Sequence, residues 1–127
     1  MIVVDASAVV LALFRDGDAR ELIASDDVHA PHLIDSEVTQ VLRSHERTMR
    51  VSPSVARKAL DVWLSLGIRR YGATAVLDRV WSLRHNLTAY DATYVALAEA
   101  LGCSLLSADR RLASAPGIQC PVVVVRS

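Results

Sequence analysis

The sequence predicts an α/β fold: a central parallel sheet with helices on both faces, the three-layer α/β/α arrangement. Three observations predict it. Short aliphatic runs recur along the chain, helical segments separate them, and 127 residues with 52% hydrophobic content can bury a core but leave little room for a second domain. We therefore expect one domain over 1–127. Strands alternating with helices pack as a parallel layer covered on both sides.

The elements follow in order. Ile2-Val3-Val4 is β-branched throughout, as a buried strand requires. Val9 to Leu13 continues as an apolar helical segment, and Asp18 opens a short helix to residue 25. Val28-His29-Ala30 is a second strand closed by Pro31. An amphipathic helix covers 33–47. Ser52-Pro53 opens the next with an N-cap serine and a proline at N1; it runs to about Leu66 and stops at Gly67. Ile68 to Tyr71 reads as a strand, Thr74 to Arg84 as a helix, and Thr88 to Leu101 as a helix ended by Gly102. Ser104-Leu105-Leu106 is a strand, 110–114 a short helix, and Val122 to Val125 a last strand. Trp63 and Trp81 fall on helical apolar faces and are expected in the core.

Charge and composition exclude several classes. The formal net charge is zero, so the chain as a whole is no basic nucleic-acid binder, although all basic residues but Lys58 are arginines, which suit bidentate phosphate contacts. No basic leader precedes an apolar stretch and no run approaches the ~20 residues that cross a bilayer, so a cytoplasmic protein with no membrane contact is expected. Cys103 and Cys120 lack C-x-x-C spacing and are expected as buried reduced thiols. His29, His32, His45 and His85 show no metal-ligand spacing, and there is no glycine-rich phosphate cradle.

The acids carry the argument. In parallel sheets, sites form outside the carboxyl ends of the strands. Asp5 ends the first strand and Asp109 follows Ser104-Leu105-Leu106. Each could equally cap the helix that follows it. Glu37 falls inside the apolar arc of Leu33, Ile34, Val38, Val41 and Leu42, whereas Asp35 falls outside it. Asp91 lies within the arc of Leu87, Tyr90, Tyr94, Val95, Ala98 and Leu101, although Thr88 with Asp91 three residues on also resembles a capping box. Glu37 could reach solvent from the edge of its face. Jointly, two acids end strands on the side where sites form and two point inward from helices, with no Lys or Arg near them in sequence on those faces. Converging carboxylates repel or take up protons unless a cation compensates. Oxygen ligands alone favour Mg²⁺ or Mn²⁺.

At these residues the chain resembles the PIN-domain family, and within it the VapC-like toxins of bacterial toxin–antitoxin pairs. The matching pieces are Val3-Val4-Asp5-Ala6-Ser7, Glu37-Val38 with Val41-Leu42, Tyr90 to Ala98, and Leu105 to Leu112. The resemblance implies an α/β/α sandwich and a Mg²⁺-dependent endoribonuclease, with Mn²⁺ as a substitute. It implies Asp5, Glu37, Asp91 and Asp109 as metal ligands and Ser7 as a hydroxyl beside the metal. It also implies an RNA substrate, a homodimer, and a small antitoxin whose tail blocks the site. Cleavage by metal-activated water should leave a 5′-phosphate and a 3′-hydroxyl. Arg43, Arg47, Arg50, Arg110 and Arg111 are candidates for RNA phosphates, solvated surface charge being the alternative for each. The chain departs from the family pattern at Arg110-Arg111-Leu112, where many relatives carry a further acid, so the resemblance leaves open whether the site holds one ion or two.

Two other classes compete. A receiver-type phosphoacceptor domain wants paired acids after the first strand and a lysine ending a late strand; here Asp5 stands alone and Lys58 is on a helix. A catalytically inactive PIN-like binding module would not need four intact acids.

Overall fold

The computed structural model describes residues 1–126, with Ser127 outside the described residues. Five strands form one parallel sheet: β1 (Ile2–Val4), β2 (Val28–Pro31), β3 (Arg69–Tyr71), β4 (Ser104–Ser107) and β5 (Val122–Val124), in the order β3-β2-β1-β4-β5. Val3 of the central strand sits opposite His29 on one side and Leu105 on the other. Val3, Val4 and Leu105 are fully buried, which is why these strands read as unbroken apolar runs rather than alternating ones. The order reverses at β1: its sequence neighbours lie to one side and β4 and β5 to the other. The carboxyl ends of β1 and β4 therefore meet at the switch point, where crevices form.

The helices are α1 (Ala6–Phe14), α2 (Asp18–Ser25), α3 (Leu33–Arg47), α4 (Pro53–Ser65), α5 (Leu77–Ser82), α6 (Ala89–Leu101) and α7 (Arg110–Ala113). Local chemistry sets their ends. Ser52 accepts from Val55 N–H with Pro53 behind it, and Thr88 accepts from Asp91 N–H. Gly102 closes α6 at φ 68°, a left-handed conformation that costs glycine nothing. Every residue of α6 from Ala92 to Ala98 is buried, so this helix has no polar face along that stretch.

Four details differ from the sequence reading. The predicted helix over 74–84 divides into a 3₁₀ turn at Thr74–Val76 and a six-residue α5. So short a helix buries one stripe, Val80, with Leu83 just beyond it; Trp81 faces outward and is 68% exposed, with the Arg84 guanidinium stacked 4.5 Å from its ring centre. Trp63, by contrast, is 1% exposed as expected. Tyr90, expected on the buried face of α6, is 62% exposed because its turn precedes the buried length of the helix. Asp35 is outside the apolar arc but not idle. Arg70 grips it with two hydrogen bonds, 2.6 Å and 2.9 Å, and the Trp63 indole N–H donates to it at 2.9 Å.

His29 is buried and structural: Nδ1 meets the Tyr71 hydroxyl at 2.6 Å and Nε2 meets Asp27 at 2.8 Å. Cys103 and Cys120 are free and only partly buried; burial pushes the Cys120 thiol up to about 11. No helix among the described residues is long and apolar enough to cross a membrane.

Candidate active site

Asp5 is the innermost acid. It is 8% exposed, held between β1 and α1, with its backbone N–H donating to Leu106 of β4. One carboxylate oxygen accepts from Ala8 N–H at 3.0 Å, so the residue does cap α1. The same oxygen accepts from Ser7 Oγ at 2.6 Å. Capping and site formation are thus compatible. Burial raises the Asp5 pKa above the usual aspartate value; hydrogen bonds from Ser107, Ser7 and Ala8 pull it back in part, and the charge of Asp109 pushes it up.

Ser7 ties the two strand ends together. Its hydroxyl donates to Asp5, accepts from Ala108 N–H at 2.9 Å, and lies 3.4 Å from Ser107 Oγ. Ser107 is fully buried and accepts from Asp109 N–H at 3.0 Å. The reading of the sequence passed over Ser107. Its signal was a polar residue ending an aliphatic strand, two before an acid.

Asp109 caps α7 by accepting from Arg111 N–H at 3.0 Å. The Arg111 guanidinium folds back on the same carboxylate at 3.3 Å and holds the Asp109 pKa below its ordinary value. The absence of a nearby cation, inferred from the inward faces, therefore does not extend to Asp109: its countercharge comes from the helix it caps.

Asp91 sits in the first turn of α6. Its backbone N–H donates to Thr88 Oγ at 3.1 Å, but its carboxylate accepts no hydrogen bond among the described residues, so half of the capping box is missing. Burial raises its pKa, and the charges of Asp5 and Asp109 raise it further, against a smaller opposing pull from Arg111. Glu37 on α3 accepts from the Tyr94 hydroxyl of α6. Burial, then this bond, holds the Tyr94 phenol protonated far above its usual range, with Glu37, Asp5 and Asp91 all contributing. Tyr94 was expected only as core. Its position three residues after Asp91, on the same helical face, was the signal available.

The structure thus brings Asp5, Asp91 and Asp109 into one electrostatic neighbourhood, and Tyr94 links Glu37 to it. Among the described residues, no three His, Cys, Asp or Glu side chains stand close enough to ligate one ion as placed. Three of the four acids are held by other partners: Asp109 by Arg111, Glu37 by Tyr94, and Asp5 by Ser7 and Ala8. The donor set is oxygen only, and two members carry raised pKa values with no basic side chain bonded to them. Such a set suits a hard divalent cation. Two grooves flank it. Asp91 and Asp109 line one of about 290 Å³ with Thr88 and Arg111, and Glu37 lines the other with Tyr90.

A parallel sheet with this strand order and acids at its switch point defines a class, and a family model described as PIN domain matches residues 2–118. The chain belongs to the PIN-domain family, and the receiver-type reading falls with that result. It is 50% identical to ribonuclease VapC9 of Mycobacterium tuberculosis (strain ATCC 25618 / H37Rv) over 125 residues, 98% of each chain. Among solved structures it resembles PAE2754 from Pyrobaculum aerophilum, with TM-score 0.71 and 27% identity over 95% of this chain and 81% of that one. It also resembles VapC20 of Mycobacterium tuberculosis, described as a Sarcin-Ricin loop cleaving toxin, with TM-score 0.66 and 26% identity over the full length of both.

Proposed function

We propose that this chain is a single-domain, metal-dependent endoribonuclease, the toxin of a toxin–antitoxin pair. The carrying observation is the shared charge of Asp5, Asp91 and Asp109 at the sheet's switch point, with Arg111 the one cation bonded to any of them among the described residues. Relatives similar over nearly the whole chain are ribonucleases by name, which supports the same activity here.

Asp5, Glu37, Asp91 and Asp109 would hold Mg²⁺ or Mn²⁺. Such an ion would lower the pKa of a water, so that hydroxide is available near neutral pH to attack a phosphodiester. Asp5 is the anchor, since two donors fix one of its oxygens. Ser7 is a positioning residue that locks Asp5 to the β4 end through Ala108. Tyr94 orients Glu37, as hydrogen-bonded partners orient ligands in metal sites generally. Arg111 supplies the countercharge of Asp109. Arg43, Arg47, Arg50 and Arg110 form no ion pair among the described residues and are free to meet RNA phosphates.

Purified protein should cleave RNA in Mg²⁺ or Mn²⁺, stop in EDTA, and leave 5′-phosphate ends. Metal-independent cleavage leaving 2′,3′-cyclic phosphates would overturn this mechanism. The toxin role further predicts a small antitoxin that blocks the acid site and a homodimer in solution. Harmless expression without a partner would refute the toxin role while leaving the nuclease chemistry intact, and sedimentation reads the oligomeric state.

A further inference from the structure

We infer that α3 carries the RNA strand next to the cut: a base stacks on Tyr90 in the groove between α3 and α6, and the backbone continues over Arg43 and Arg47. This rests on the ribonuclease reading and adds a path for its substrate.

Tyr90 immediately precedes Asp91, is 62% exposed, and its hydroxyl has no hydrogen-bond partner among the described residues. The ring stands in the exposed first turn of α6, ahead of the buried stretch from Ala92 to Ala98, and so is open to a ligand. Its ring walls a groove of about 320 Å³ with Leu33, Gln40 and Val41, and Glu37 is part of the same lining. That volume lies at the lower end of those that hold small ligands. The groove is mainly apolar and continuous with the acid site through Glu37. A nucleobase beside a phosphate held at the acids needs such a surface: an aromatic face to stack on, aliphatic walls, and an amide such as that of Gln40 within reach of its edge.

The helix face beyond the groove supplies the second observation. Ser36, Gln40, Arg43 and Arg47 follow at i, i+4, i+7 and i+11, which places them on one stripe of α3, and all four are exposed. At a rise of 1.5 Å per residue, Arg43 lies about 9 Å and Arg47 about 15 Å along the axis from Glu37. Neither arginine is in an ion pair among the described residues, whereas Arg57, Arg70 and Arg79 are all engaged. The stripe runs from the acid site through polar side chains to two free guanidiniums. That order suits a polyanion whose cleaved phosphate is bound at the acids and whose next phosphates need counterions.

The test is binding of a short fluorescein-labelled single-stranded RNA of mixed sequence, measured by anisotropy in EDTA across a salt series. Sedimentation is run on the same samples, and melting curves confirm that each variant folds. The Arg43→Gln/Arg47→Gln double variant should flatten the slope of log affinity against log salt by about 1.4, two contacts at ~0.7 each. Tyr90→Ala should weaken binding about tenfold and Tyr90→Phe should bind as the wild type, since stacking uses the ring. An unchanged slope, or full binding by Tyr90→Ala, overturns the path. So does a Tyr90→Ala protein that falls from dimer to monomer while binding RNA normally, which assigns this face to a second copy of the chain. Wild-type protein that binds RNA in this manner yet never cleaves it in Mg²⁺ upholds the path and sinks the nuclease reading. Cleavage with unaltered variants does the reverse.

Discussion

Asp91→Asn and Asp35→Asn should move stability in opposite directions. The two aspartates stand near the starts of α6 and α3, but their carboxylates face opposite surroundings. Asp91 accepts no hydrogen bond among the described residues and feels Asp5 and Asp109. Like-charge pairs on exposed helices cost a few tenths of a kcal/mol each. Two such pairs in a half-buried, less screened site put the relief from Asp91→Asn at about 1 kcal/mol. Asp35→Asn instead breaks a bidentate Arg70 grip while keeping an oxygen for Trp63. Charge-assisted hydrogen bonds are worth about 1.5–3 kcal/mol, and with side-chain exposures of 26% and 41% on the pair the loss is discounted to about 1–2 kcal/mol. Melting curves in EDTA should show Asp91→Asn up by roughly 4 °C and Asp35→Asn down by at least as much. The gain depends on pH. The Asp91 pKa is raised in the folded state, so the wild type's penalty is absent below the unfolded value of 3.8 and accrues as pH rises past it. The mutant's advantage should therefore vanish in strong acid. In Mg²⁺, Asp91→Asn should lose at least ~100-fold in cleavage, more than the loss of an outer partner costs, and Asp35→Asn should keep its activity per folded molecule. An Asp91→Asn protein that is active and less stable in EDTA would show that the four-carboxylate assignment is wrong.

Tyr94→Phe frees Glu37 and should raise the Mg²⁺ concentration needed for half-maximal cleavage by about 10- to 100-fold, read from a metal titration. Ser107→Ala leaves the Asp109 N–H without its acceptor and should cost about 1–3 kcal/mol by denaturant titration. Because Ser107 also lowers the Asp5 pKa, the acid limb of its pH–rate profile should move to higher pH. Trp63→Ala should cost about 3–5 kcal/mol, whereas Trp81→Ala should stay within about 0.5 kcal/mol, a contrast that equilibrium unfolding of both variants will expose.

The periodicity of the chain carried most of the fold, because strands buried on both faces and helices with strong caps leave local signatures. Ser52-Pro53 and Gly102 marked their helix ends as sequence alone suggested. What stayed hidden was pairing at long range. Asp35 looked like a solvated charge because its partner Arg70 is 35 residues away. Trp81 looked like core because a wheel cannot show that α5 is only six residues long. For the site, helical position and strand ends picked out the acids, but which donors hold them depends on tertiary contacts. Ser107 and Tyr94 reach Asp5 and Glu37 across the sheet and between helices, and no spacing rule reports that.

The central strand joins segments about a hundred residues apart: β1 pairs with β4, Ile2 opposite Ser104. Asp5 N–H bonds to Leu106 and Ser7 to Ala108, across a separation of 101 residues for the latter. During synthesis at about 5–20 residues per second, the Asp5 carboxylate is complete long before its counterparts exist. A chain interrupted anywhere before Ser104 leaves one edge of β1 without a neighbour and lacks Asp109 altogether. The four acids can therefore stand together only after Asp109 has been made, long after Asp5 and Glu37 have left the ribosome.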